Sequence, residues 1–156
     1  MKITLPELSL VVLIGASGSD KSTFARQHFL PGDLVDRGPH ILDIFKLVRN
    51  MVLAETALCV PGNHDIKLLR KLNGKNVKIN HGLEQTLAEI AALPDELRES
   101  AVREIPQFLD ILIGHYVVDG GKLVVAHAGM KAEFQGRASG HIRDFALYGG
   151  TTGEID

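Results

Sequence analysis

The chain has 156 residues, 45% of them hydrophobic, and a net charge of −2 with its seven histidines neutral. That is enough for one domain with a real core, and it excludes a general basic field for nucleic acid. The start lacks a charged segment followed by a long apolar one, and no window approaches the roughly 20 apolar residues of a membrane span, so the sequence reads as soluble and cytoplasmic with no membrane partner.

Leu8 to Ile14 is an apolar run that predicts a buried strand ending at Gly15. Gly15 to Ser19 is a loop of small residues, and Lys21 to Phe29 can form a short helix. Leu30-Pro31-Gly32 then marks a turn and a boundary, dividing the chain into 1–30 and 31–156. Beyond it, Ile41, Leu42, Phe45, Leu47, Val48, Met51 and Val52 fall on one helical face. Thr56 to Val60 is a short β-prone run that delivers Gly62-Asn63-His64-Asp65 at its end. It contains Cys59, the only cysteine, which suits a small buried hydrophobe better than a reactive thiol and allows no internal disulfide.

Ile66 to Leu72 predicts helix again. Lys67 to Lys78 forms a local basic patch able to face a phosphate backbone, although a solvated surface is its plainer reading. Leu83, Leu87, Ile90 and Leu93 make an amphipathic helix stopped at Pro94, and a further helix from Glu96 to about Ile105 is predicted to break at Pro106. Tyr116-Val117-Val118, Asp119-Gly120-Gly121 and Leu123-Val124-Val125 predict a hairpin, whose second strand leads to His127-Ala128-Gly129. No internal repeat or low-complexity segment is present in the sequence.

The strings Gly32-Asp33-Leu34-Val35-Asp36-Arg37-Gly38 and Gly62-Asn63-His64-Asp65 carry the chemistry. A two-metal site draws its ligands from several loops, and a glycine beside each oxygen ligand lets the backbone approach an ion. Aspartate and asparagine oxygens with an imidazole nitrogen suit Mn²⁺ or a similar divalent ion.

With His127-Ala128-Gly129, these strings resemble the calcineurin-like metallophosphoesterases. The resemblance implies an α/β fold of layered mixed sheets flanked by helices, and hydrolysis of a phosphate ester at a dinuclear metal centre. It implies Asp33 as the bridging ligand, with Asn63 and His127 each ligating one ion. Arg37 would grip phosphate oxygens, and His64, oriented by Asp36, would face the scissile bond as a general acid or phosphate donor. The family also uses an Asp-x-His string upstream and a Gly-His string near its C-terminus. The first is absent before Gly32, while Gly114-His115 and Gly140-His141 sit in the wrong context for the second. Three remaining ligands imply weakened metal binding and impaired activity.

Gly15-Ala16-Ser17-Gly18-Ser19-Asp20-Lys21-Ser22-Thr23 is similar to a phosphate-binding P-loop, with Asp20 where glycine is expected. In such a loop the backbone around Gly15 and Gly18 cradles phosphates, Lys21 reaches the outer ones and Ser22 meets Mg²⁺, which would make ATP a ligand. A P-loop followed by this kind of phosphoesterase resembles the bacterial polynucleotide kinase-phosphatases of RNA repair. That likeness makes residues 1–30 the remnant of a P-loop kinase strand-loop-helix. It makes 31–156 a partial phosphoesterase domain, internally deleted and C-terminally truncated, whose substrates would be phosphate esters such as RNA or DNA ends. The rivals are a P-loop nucleotide-binding module and a non-catalytic truncated remnant that pairs with another chain supplying the missing strands.

Overall fold

The structure, a computed structural model, describes residues 34, 40–79 and 82–150. The predicted strand at 8–14, the loop and helix that follow, and the boundary at Pro31 lie outside them. In chain order the described elements are α1 (Ile41–Leu53), α2 (Asn63–Leu72), α3 (Leu83–Ala91), α4 (Asp95–Ile111), β1 (His115–Val118), β2 (Leu123–Ala126) and α5 (Gly140–Tyr148). The architecture is mixed α/β, and its sheet among the described residues is one antiparallel pair.

The four leading helices share one apolar core. α1 buries Ile41, Leu42, Phe45 and Val48, the one-face spacing that its sequence predicts. Phe45 meets Phe108 of α4 edge-on, with ring centroids 5.4 Å apart. α2 packs chiefly on α4, and α1 on α3. The cluster takes in Leu68, Leu69, Leu83, Ile90, Ile105, Leu109 and Leu112, and its members all come from residues 34 to 112.

Two local features explain how α1 is held. His40, before its first residue, sits in the left-handed region at φ 62° and its side chain makes no cap. Glu89 of α3 supplies the cap instead, its two carboxylate oxygens accepting the N–H groups of Ile41 and Leu42 at 3.1 Å each. A carboxylate there satisfies two orphan donors and complements the helix dipole. At the other end Glu55 adopts φ 58°, and Thr56 N–H donates to the Met51 carbonyl at 3.0 Å, closing the helix with a left-handed residue that is not glycine.

Three expectations are corrected. Thr56 to Val60 is not a strand: a ladder needs a neighbour, and among the described residues none pairs with it. Gly62-Asn63-His64-Asp65 is not a loop; Asn63 opens α2. Pro106 does not end its helix, because α4 continues to Ile111 and buries Ile105, Phe108 and Leu109 around it. The carbonyl that Pro106 deprives of a donor belongs to the exposed Val102, where water can reach it.

The hairpin forms as its sequence predicts. Its register sets His115 against Ala126, Tyr116 against Val125 and Val118 against Leu123. Asp119, Gly120 and Gly121 turn the chain with φ of 52°, 62° and 95°, which is why two of the three are glycine. Behind the hairpin, Gly114 passes so close to α5 that an added Cβ would lie 3.4 Å from the Arg143 Cα. Arg143 Nη1 donates to the Leu112 carbonyl at 2.9 Å and ties α5 to the end of α4. Among the described residues no helix is long and apolar enough to cross a membrane.

Candidate metal centre

The segment before α2 runs inward: Ala57, Cys59, Val60, Pro61 and Gly62 are all buried. Gly62 is then held on both sides. Its N–H donates to Asp65 Oδ2 at 2.8 Å, and its carbonyl accepts the Ile66 N–H at 3.1 Å as the first bond of the helix. Asp65 is fully buried. Its carboxylate lies in the first turn of α2, where the helix dipole favours negative charge. The result fixes Asn63 and His64 at the head of α2, both half-buried.

His127 arrives from the other side, one residue beyond β2. It is 5% exposed. The next residue is anchored, since Ala128 N–H donates to the Ala146 carbonyl of α5 at 2.8 Å. α5 in turn starts at Ser139, whose Oγ accepts the Ile142 N–H at 3.2 Å as an N-cap.

These two segments meet at Asn63 Oδ1 and His127 Nε2, 3.1 Å apart across 64 residues of sequence. An amide oxygen only accepts, so Nε2–H donates to it here. The same oxygen and nitrogen also fit a divalent ion, because two right-angled ligands with bonds of about 2.1 Å sit about 3 Å apart. Among the described residues, no group of three or more His, Cys, Asp and Glu is placed to hold an ion. Of the other residues singled out from the sequence, Asp33, Asp36, Arg37, Gly15, Gly18, Lys21 and Ser22 lie outside the described residues.

The remaining histidines with a preceding glycine are engaged elsewhere. His115 Nε2 accepts the Gly136 N–H at 3.1 Å, which requires a neutral ring, and burial lowers its pKa accordingly. His141 is exposed and packs edge-on against Phe134. Beneath the site, burial and then the Asp65 charge push the Cys59 thiol up to about 12, so it stays a thiol. Tyr116 of β1 is raised mainly by its own burial, and a hydrogen bond from the Cys59 backbone opposes the shift. Sequence reasoning gave Asp65 no role, although the spacing Gly62-x-x-Asp65, a capping-box pattern, was an available signal.

Comparison with known proteins gives the family of the chain. Residues 22–148 match the model of the calcineurin-like phosphoesterases. The chain belongs to that family, whose members use divalent metals, generally two. Among its relatives, bis(5'-nucleosyl)-tetraphosphatase PrpE [asymmetrical] of Halalkalibacterium halodurans is 41% identical over 125 residues, covering 80% of this chain and 51% of that protein. Its counterpart from Geobacillus thermodenitrificans is 42% identical over 125 residues, with the same coverage. The Bacillus subtilis protein is 38% identical over 123 residues, 79% of this chain and 50% of its own length. The chain thus spans about half the length of these curated relatives. They are tetraphosphatases, and the expected closer tie to polynucleotide kinase-phosphatases finds no support in them.

Proposed function

We propose that the chain is the metal-binding part of a phosphohydrolase acting on dinucleoside polyphosphates, splitting a tetraphosphate unequally as the name of its relatives states. The observation that carries this reading is the meeting of Asn63 Oδ1 and His127 Nε2 at 3.1 Å in a chain of this family. Asn63 and His127 would hold one divalent ion, with Asp33 as the ligand shared with a second. When bound, such an ion supplies Lewis-acid polarisation of the phosphoryl group.

The chain's own residues do the rest. His64, at the head of α2, would place a proton or hydrogen bond at the leaving oxygen, with Asp36 orienting its ring. Arg37 would take two phosphoryl oxygens in its planar fork. The N-terminus of α2 favours the negative charge of the substrate beside it. Mn²⁺ is the ion that best suits this donor set. Three ligands do not enclose two ions, so low turnover of the isolated chain and completion by another chain are part of the proposal.

Purified chain should hydrolyse diadenosine tetraphosphate slowly and only with Mn²⁺ added, and Asn63→Ala or His127→Ala should each abolish it. Metal-independent turnover, or full turnover in either variant, would sink the reading. A second reading, hydrolysis at RNA or DNA ends, is favoured by the Lys21-Ser22-Thr23 loop, which would bind ATP if residues 1–30 are a kinase remnant set apart from 31–156. Preference for a phosphorylated RNA end over the tetraphosphate, or ATP affinity lost on Lys21→Ala, would support it.

A further inference from the structure

A group of three aromatic rings stands outside the helical core, on the segment that follows His127. Phe134, from the short turn Ala132–Phe134, meets His141 and Phe145 of α5 edge-on, with ring centroids 5.5 and 5.4 Å away. His141 and Phe145 are four residues apart, so they lie about 40° from each other around the helix. The side of α5 that packs inward carries Ile142, Ala146 and Leu147 instead. Lys131 completes the group. Its Nζ lies 5.4 Å from the Phe134 centroid and 5.2 Å from that of Phe145, a cation over two rings.

Backbone contacts place this group beside the candidate metal centre. Phe145 directly precedes Ala146, whose carbonyl holds Ala128 next to His127. The chain leaving α5 then passes both. A Cβ added at Gly149 would lie 3.8 Å from the Ala128 Cβ, and one added at Gly150 would lie 3.5 Å from Phe145 Cε2. Phe45 and Phe108 are buried in the core, whereas Phe134 and Phe145 are only half-buried. Scattered exposed apolar residues need no explanation. Three rings in mutual contact under one cation are different, because together they form a continuous π surface. The cation over that surface is replaceable. Lys131 is exposed, and its pairing with Glu133 at 3.9 Å lies in solvent, where it holds the ammonium weakly. A nucleobase stacked on an aromatic ring gains more than an exposed ammonium over the same ring.

We propose that Lys131, Phe134, His141 and Phe145 form the seat for a nucleoside base of the substrate. The base stacks on the phenylalanine surface that Lys131 covers. The displaced ammonium turns, as a flexible point charge, to the phosphate attached to that nucleoside. This rests on the dinucleoside polyphosphate reading given above, and it adds the residues that recognise the nucleoside end.

Nuclear magnetic resonance titration of the metal-free chain with adenosine and with adenosine 5'-monophosphate tests this separately from hydrolysis. The base protons of both ligands should shift upfield through the ring currents. Phe134→Leu keeps the apolar bulk and loses the π face, and it should weaken both ligands about fivefold or more, with an unchanged circular dichroism spectrum. Phe134→Tyr should retain binding. Lys131→Ala should weaken the monophosphate and leave adenosine as tight or tighter. Absence of adenosine binding by wild type, or unchanged binding in Phe134→Leu, overturns the proposal even if the chain hydrolyses the tetraphosphate. Binding lost in Phe134→Leu, in a chain that hydrolyses nothing, supports the seat and sinks only the catalytic reading. A single-stranded RNA oligonucleotide that binds the rings more tightly than diadenosine tetraphosphate would give the seat to RNA and overturn the assignment to a dinucleoside polyphosphate.

Discussion

The two halves that supply Asn63 and His127 are built to different standards. Residues 41–112 form four helices around one apolar cluster, with Leu68 and Leu109 fully buried. Residues 115–150 form a two-stranded hairpin and one helix, and their buried apolar side chains, Val125, Ile142, Ala146 and Leu147, stand outside that cluster. Asn63 therefore rests on a packed helical body, whereas among the described residues His127 rests on a thin layer held by hydrogen bonds: Ala128 to Ala146 and Arg143 to Leu112. A metal site on that seam would couple to the stability of its weaker side. An ion binding across it would stabilise the hairpin half more than the helical half.

The comparison can be broken first in the core. Leu109→Ala should cost about 2–5 kcal/mol, the range for a fully buried leucine, and urea unfolding should show it in α1–α4 and the hairpin alike. A loss confined to the hairpin would contradict a shared helical core. Next in size is Asp65→Ala, which leaves the Gly62 N–H buried without its acceptor and should cost about 1–3 kcal/mol. Asp65→Asn keeps an oxygen in place and should recover part of it. Equal losses in both variants would show that the Gly62 bond is not what the side chain contributes.

Glu89→Ala should cost about 1–2 kcal/mol, because α1 loses the acceptor for two N–H groups. Faster amide exchange at Ile41 and Leu42 is the local signature to measure. The smallest effect is that of pH. The His115 ring is neutral in the fold and its pKa lies below 6.5, so the unfolded chain takes up its proton first as pH falls. The stability from His115 is thus fully present above about pH 6.5 and is lost as pH falls through the lowered folded value. Subtracting the pH dependence of His115→Gln from that of wild type should reveal a decline between pH 7 and 5. A flat difference would refute it.

Much of this was legible in the sequence where local pattern decides structure. The face of α1 follows from apolar spacing, and the hairpin from Asp119-Gly120-Gly121 between two β-branched runs. Where tertiary partners decide, local pattern misled. Thr56 to Val60 has strand composition but no ladder among the described residues, and Pro106 stays inside α4 because Ile105, Phe108 and Leu109 hold the helix on both sides of it. The cap of α1 by Glu89 joins residues almost fifty apart, beyond any local signal. At the site, Asn63 and His127 carried recognisable motifs. Asp65 acts through the backbone of Gly62, so its importance shows only in three dimensions. The family, too, was legible in the motifs, whereas the closer relatives were not, because the Lys-Ser-Thr loop pointed to a kinase partner that the similar tetraphosphatases do not carry in their name.

The central claim is that Asn63 and His127 form one ion-binding unit across the seam. Mn²⁺ titration followed by electron paramagnetic resonance, on wild type, Asn63→Ala, His127→Ala and the double variant, tests it most directly. The account predicts that each single variant loses as much affinity as the double variant, since either removal dismantles the same site. Additive losses, or wild-type affinity in either single variant, would contradict it.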